Sequence, residues 1–280
     1  MYLPEQNGTI GVFDSGIGGL SVANAVSGLL PRESMLYVAD NANAPYGART
    51  DAEVAEFSRR ITDFLLHRGA KLVVVACNTA TSMAIDGLRT AYPGVPFVGL
   101  EPAVKPAATG NRVGVMATAV TLRSPRYLAL RERYLFDHRV WENPCVDLVP
   151  LIETYGPGST QVREYLEALL AEGGDLDTIV LGCTHYPLVA ADIAAALPEG
   201  ARIIDPSAAA ARQVLRLLER RDLLRTSDVP PRYDFLATGD SVSLQRTLGA
   251  LPSLRQKQRW VVPYAELAEL PSDRLAVPVQ

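Results

Sequence analysis

No stretch of this chain carries the roughly twenty consecutive apolar residues that a membrane helix needs, so no spanning helix is expected. The opening residues, Met1-Tyr2-Leu3-Pro4-Glu5, hold neither a basic cluster nor an apolar core, and no secretory signal is expected from them. Cysteine is scarce, with three in 280 residues, at positions 77, 145 and 183. So odd and sparse a set excludes a disulfide framework and points to a reducing cytosol. Histidine is equally scarce, His67, His138 and His185 being the whole complement. There is no Cys-x-x-Cys, and the single Cys-x-His step from Cys183 to His185 is not a zinc signature, so no metal is expected. The lysines are Lys71, Lys105 and Lys257 alone, without the motif of a pyridoxal-phosphate enzyme, and no cofactor is expected. A net charge of −4 supplies no electrostatic reason for a nucleic-acid partner. Arg216, Arg220, Arg221 and Arg225 share their segment with Glu219 and Asp222 and read as a solvated face.

What the chain does have is the alternation of a parallel α/β protein. Hydrophobic residues make up 48% and charged residues 21%, the balance of an ordinary globular chain long enough for one large domain or two smaller ones. Apolar runs predict strands at Thr9–Asp14, Met35–Ala39, Leu72–Ala76, Arg112–Ala117, Thr178–Gly182, Arg202–Asp205 and Tyr233–Ala237. Helices are predicted at Leu20–Leu30, at Asp51–His67 with Thr50 and Glu53 as a capping box, and at about Gln161–Leu170. A further helix is expected to open at Asp205-Pro206, with aspartate as cap and proline at the first helical position.

Two segments of the chain say nearly the same thing. Leu72-Val73-Val74-Val75-Ala76-Cys77-Asn78-Thr79 and Thr178-Ile179-Val180-Leu181-Gly182-Cys183-Thr184-His185 are each an apolar β-branched run, one small residue, a cysteine and then polar residues. Runs of this kind are strands buried on both faces, which places each cysteine at the carboxyl end of a strand, where α/β sheets bind ligands. A fainter repeat links Gly11-Val12-Phe13-Asp14-Ser15 with Gly114-Val115-Met116-Ala117-Thr118. Each half therefore pairs one polar strand end with one cysteine strand end. The expected architecture is two pseudo-twofold-related α/β domains, each a mainly parallel sheet flanked by helices, with the active site in the cleft between them. The loop Val95–Pro102 is the first expected boundary, and after Asp205-Pro206-Ser207 the chain is expected to return. That gives a discontinuous first domain, 1–98 plus 208–280, and a second domain, 99–207.

A free cysteine is often a small buried hydrophobe, and Cys145, in Asn143-Pro144-Cys145-Val146-Asp147, reads that way. Cys77 and Cys183 read differently, because Asn78-Thr79 and Thr184-His185 stand where a following helix would begin, and helix N-termini favour thiolates. His185 is placed to hydrogen-bond substrate or tune Cys183, and Asp14 to do the same near Cys77. Glu153, after the apolar run Pro150-Leu151-Ile152, reads by itself as a loop residue. The turn Asp14-Ser15-Gly16-Ile17-Gly18-Gly19 between a strand and an apolar helix suits an anion but matches neither dinucleotide nor nucleotide fingerprints. A reaction that uses two thiols and no cofactor is proton removal from one face of a carbon and return to the other. A cofactor-independent epimerase or racemase is the leading deduction.

Asp14-Ser15-Gly16-Ile17-Gly18-Gly19-Leu20, Pro45-Tyr46-Gly47, Ala76-Cys77-Asn78-Thr79-Ala80-Thr81, Glu101-Pro102-Ala103, Pro150-Leu151-Ile152-Glu153 and Leu181-Gly182-Cys183-Thr184-His185-Tyr186-Pro187-Leu188 resemble the motifs of the glutamate racemase family, in the family's order and across most of the chain. The resemblance implies a cytoplasmic enzyme that interconverts L- and D-glutamate for peptidoglycan synthesis, two α/β domains with the site between them, and commonly a homodimer. It implies that Cys77 works on D-glutamate and Cys183 on L-glutamate, with Asp14, His185 and Glu153 assisting. Substrate-binding positions carried over are Asp14, Ser15, Pro45, Tyr46, Gly47, Asn78, Thr79, Thr184 and His185, with Thr118 and Thr121 adding hydroxyls. The chain departs from the family at Asn41-Ala42-Asn43, where Thr-Ala-Arg is commoner, at Val120, and at Cys145, which follows rather than precedes a proline. The same superfamily offers an aspartate or hydantoin racemase as the alternative, and some family members bind DNA gyrase as an additional, non-catalytic role.

Overall fold

The computed structural model describes residues 2–239, 241–255 and 259–263. Lys257 and residues 264–280, counted with the first domain above, lie outside the described residues. Ten strands are described: β1 (Thr9–Asp14), β2 (Met35–Ala39), β3 (Ala70–Val75), β4 (Phe97–Gly99), β5 (Arg112–Met116), β6 (Arg139–Asn143), β7 (Thr178–Leu181), β8 (Arg202–Ile204), β9 (Tyr233–Ala237) and β10 (Arg259–Pro263). They form two sheets, ordered β10-β9-β2-β1-β3-β4 and β6-β5-β7-β8, and every strand pairing is parallel. The chain divides into two compact units. One takes the residues up to Leu100 and those from Ser207 onward, and the other takes Glu101–Pro206.

The two sheets share a plan. The order β2-β1-β3-β4 in the first is repeated as β6-β5-β7-β8 in the second. This is the doubly wound order, in which the chain first steps to one side of the central strand and then to the other. The register repeats as well. Gly11 of β1 pairs with Val73 of β3, and Gly114 of β5 with Ile179 of β7. In both sheets a cysteine follows four residues after the glycine's partner, at Cys77 and at Cys183. The small residue before each cysteine has a physical reason. Ala76 N–H donates to the Phe13 carbonyl at 2.8 Å and Gly182 N–H to the Met116 carbonyl at 2.7 Å, so this residue lies against the end of the central strand. At Gly182 an added Cβ would stand 2.6 Å from the Ala117 Cβ.

The β-branched runs are interior strands. β2 and β3 are buried at every residue, which is why their sequences show no alternation. Three strands are not predicted from the sequence, β4, β6 and β10, and the first two carry too weak a pattern to be read from it. β4 is three residues long and falls inside the expected boundary loop, and β6 is a half-exposed edge strand whose polar residues hide it. Helix Asp51–His67 opens with the capping box expected: Thr50 Oγ1 accepts from the Glu53 N–H, and Glu53 accepts from the Thr50 N–H at 2.9 Å. Helix Thr160–Gly173 is longer than predicted. Helix Ser207–Arg220 begins after Pro206, so the proline lies just outside its first turn.

Candidate functional site

In the first unit, Asp14 ends β1 and Cys77 follows β3, the strand beside it, so both stand at the carboxyl edge of the sheet. Cys77 is the N-cap of helix Asn78–Ala91. Its sulfur accepts the Ala80 N–H at 3.5 Å and lies 3.9 Å from the Ser15 hydroxyl. A helix N-terminus carries positive partial charge and suits negative charge on that sulfur. Asp14 is fully buried and its Oδ1 accepts the Gly16 N–H at 2.9 Å. Gly19 is required here, because a Cβ would meet the Asp14 Cβ at 2.6 Å and the Tyr37 hydroxyl at 2.9 Å. Asn78 is 2% exposed, yet neither of its amide atoms has a hydrogen-bond partner among the described residues. Buried polar groups are normally satisfied, which makes this amide, next to a thiol, a candidate contact for a polar ligand. Pro45-Tyr46-Gly47 reaches the same unit through a single helical turn, Tyr46–Ala48, and the Tyr46 ring shares a core cluster with Cys77. Burial, with the charge of Asp40 next, holds the Tyr46 phenol far above its ordinary range. Thr79 is buried beside Asn78.

In the second unit, Cys183 stands two residues beyond the end of β7 and is 7% exposed. The expectation of a helix opening at Thr184-His185 is corrected. The chain makes a tight turn, Tyr186–Val189, and only then the helix Ala190–Ala196. Pro187 sits inside that turn and supplies no N–H, so Cys183 gets no capping helix of the kind that meets Cys77. It gets a side chain instead. Cys183 Sγ lies 3.9 Å from His185 Nδ1, and His185 Nε2 is 2.8 Å from Glu153 Oε1. Burial opposes charge on His185, but its hydrogen bonds to Cys183 and Glu153 outweigh that and hold its pKa well above the ordinary histidine value. Glu153 is on helix Leu148–Tyr155 rather than in a loop. That helix carries it to a histidine 32 residues away.

Thr118 follows β5, in the position that Ser15 holds after β1. It caps helix Ala119–Arg123, accepting the Thr121 N–H, and its hydroxyl is 3.0 Å from that of Thr121. Thr184 is buried next to Cys183. Cys145 takes a left-handed backbone conformation at φ 46°, with its N–H held by Asn143 Oδ1 at 2.9 Å. Burial pushes its thiol up to about 12, the setting of an unreactive structural cysteine. Among the described residues no cluster of His, Cys, Asp and Glu is arranged to hold a metal ion, and no helix is long and apolar enough to cross a membrane. Nothing in the motif pattern singled out Asp40 or Thr238. The signal available for each was a polar residue directly after a buried strand.

The pair His185–Glu153 carries a pH prediction. A raised pKa favours the protonated form of His185, and positive charge facing the Cys183 sulfur would favour negative charge on it. Glu153→Gln removes the carboxylate that raises His185, so the imidazolium is lost at a lower pH. The alkaline limb of kcat/KM for a substrate served by Cys183 is therefore expected to move to lower pH. Superimposable profiles for parent and variant would show that Glu153 does not set that charge.

Comparison with known proteins places this chain among racemases. The family described as Asp/Glu/Hydantoin racemase matches residues 20–214. The glutamate racemase of Pseudomonas putida (strain W619) is 47% identical over 257 residues, covering 89% of this chain and 96% of that relative. The glutamate racemase of Pseudomonas aeruginosa is 48% identical over 235 residues, covering 81% and 88%. Among solved structures, the glutamate racemase of Francisella tularensis in complex with D-glutamate matches with a TM-score of 0.78 at 29% identity, covering 93% of this chain and 98% of its own. That of Escherichia coli, in complex with L-glutamate and the activator UDP-MurNAc-ala, matches with a TM-score of 0.78 at 31% identity, covering 91% and 97%.

Proposed function

This chain belongs to the Asp/Glu/Hydantoin racemase family, and from that premise we propose that it interconverts L- and D-glutamate by moving one Cα proton between two cysteines. The observation that carries the reading is the register equivalence of Cys77 and Cys183. Each is a buried thiol four residues past the partner of the matching glycine, and each has its own polar assistant. The relatives named for glutamate racemisation, and the solved relatives holding D- and L-glutamate, support the choice of substrate.

The chemistry balances without a cofactor. The Cys183 thiolate takes the Cα proton of L-glutamate, the electron pair is spread into the α-carboxylate, and the Cys77 thiol returns a proton from the other face. The enzyme is left with a Cys183 thiol and a Cys77 thiolate, the state that accepts D-glutamate. Asp14 assists on the Cys77 side, and His185 with Glu153 on the Cys183 side. The open amide of Asn78 and the hydroxyls of Ser15, Thr79, Thr118, Thr121 and Thr184 are groups that could hold the amino acid, along with Tyr46 in its Pro45-Gly47 setting. This reading places the enzyme in the cytoplasm, where D-glutamate is supplied for peptidoglycan. It is tested by incubating the protein with L-glutamate in D2O while following Cα deuteration and optical rotation. Deuteration with loss of rotation is expected, and no exchange with either enantiomer refutes it. L-Aspartate in the same assay tests the superfamily alternative.

A further inference from the structure

The loop between β2 and helix Asp51–His67 carries Tyr46, and one buried carboxylate organises it. Tyr46 donates its phenol O–H to Asp40 Oδ2 at 2.7 Å. Asn43 Nδ2 reaches both oxygens of Asp40 at 3.0 Å. Oδ1 also accepts the hydroxyl of Thr238 at 2.6 Å, and that hydroxyl in turn accepts the Ala42 N–H at 3.0 Å. Farther along, Arg49 Nε donates to the Asn43 carbonyl at 3.0 Å. Asp40, Tyr46 and Thr238 are all buried, so these bonds form away from water, where hydrogen bonds to a carboxylate are strongest.

Thr238 arrives from far along the chain. It follows β9, which lies beside β2 with Ala237 paired to Ala39, and its N–H donates to the Ala39 carbonyl at 2.9 Å. The return of the chain to the first unit thus delivers one hydroxyl to the edge where Asp14 and Cys77 stand. Asn43, earlier in the same loop, thus binds through its amide the carboxylate that holds Tyr46. The Tyr46 ring is held on its other side by Phe57, at 5.9 Å between ring centroids.

We propose that Asp40 and Thr238 are positioning residues for the racemase reaction: together they fix Tyr46 and the Pro45-Tyr46-Gly47 turn as a rigid binding surface on the Cys77 side. The kinetic consequence rests on the glutamate-racemase reading above, whereas the clamp itself does not. Thr238→Val keeps the shape but strips the hydroxyl, leaving Asp40 Oδ1 and the Ala42 N–H without their shared partner. Binding through Tyr46 weakens while the thiols are untouched. KM for both enantiomers is expected to rise about tenfold, with kcat changed less than about twofold, the pattern of lost uniform binding. Thr238→Ser should restore KM. Asp40→Asn, which also keeps the shape, should resemble Thr238→Val. Because Thr238 acts through Tyr46, the double variant Thr238→Val/Tyr46→Phe should be no worse than Tyr46→Phe alone.

A merely structural threonine would lower kcat per total protein and thermal stability while leaving KM where it was, and that result overturns the proposal. Fully additive KM effects overturn it too. Amide hydrogen exchange over residues 41–49 supplies a readout that needs no substrate. Exchange there is expected to be faster in Thr238→Val and Asp40→Asn and normal in Thr238→Ser, and unchanged exchange in the first two refutes the clamp. If the parent racemises no glutamate, the functional reading fails and the exchange data alone decide the clamp.

Discussion

Replacing either Cys77 or Cys183 with serine is expected to lower glutamate racemisation by about 10²- to 10⁴-fold, the range that a positioned acid or base supplies. Serine fills nearly the same space, but its hydroxyl gives up a proton far less readily than a thiol, so the fold survives while the proton relay stops. The two variants should fail differently. In D2O, Cys183→Ser still has the Cys77 thiol, which the reading assigns to D-glutamate. It should therefore exchange deuterium into D-glutamate without inverting it. Cys77→Ser should do the same with L-glutamate. Racemisation at near the parent rate in either variant would remove the two-base mechanism. The two sulfurs have different surroundings, a backbone N–H at Cys77 and an imidazole backed by a carboxylate at Cys183. The individual kcat and KM values should therefore differ between directions. Enantiomers have equal free energies, so the two kcat/KM values must still agree.

Replacing Lys71 with methionine is expected to cost about 3–5 kcal/mol of folding stability, the penalty for breaking a buried ion pair from one side. Lys71 is the second residue of β3 and is fully buried. Its Nζ lies 2.6 Å from Glu33 Oε2 and donates to the carbonyls of Gln6 and Leu223 at 2.7 Å each. Burial pulls its pKa below the ordinary lysine value, and the hydrogen bond and charge of Glu33 oppose that pull. Methionine fills the space but leaves a buried carboxylate without its cation, held among the described residues only by the Arg225 N–H at 2.9 Å, and two carbonyls without their donor. Urea unfolding should show a lower midpoint with little change in slope. The double variant Lys71→Met/Glu33→Gln should recover part of the loss, because it removes the stranded charge. An equally unstable double variant would place the cost in packing rather than charge. Lys71 lies at the amino end of the strand whose carboxyl end leads to Cys77, so activity per folded molecule should not change.

Much of the fold is legible in local pattern. Fully buried strands make uninterrupted β-branched runs, as at Val73–Val75, and a capping box announces a helix wherever Thr50 and Glu53 stand three apart. β4 and β6 escape notice because one is too short and the other too exposed to impose a pattern. The expected helix after Cys183 failed because Pro187 and the turn around it break the analogy with Asn78–Ala91.

By itself, the sequence determined that two cysteines end two buried strands in matched surroundings, since strand burial and the need for a small residue beside the central strand are local constraints. Tertiary structure alone decided which distant side chains bond to the residues around those strand ends. Helix Leu148–Tyr155 carries Glu153 to His185 across 32 residues, and β9 brings Thr238 to Asp40 across 198. Hydrogen bonds between groups so far apart leave no periodicity in the chain. They exist only once the sheets have placed those strand and helix ends side by side.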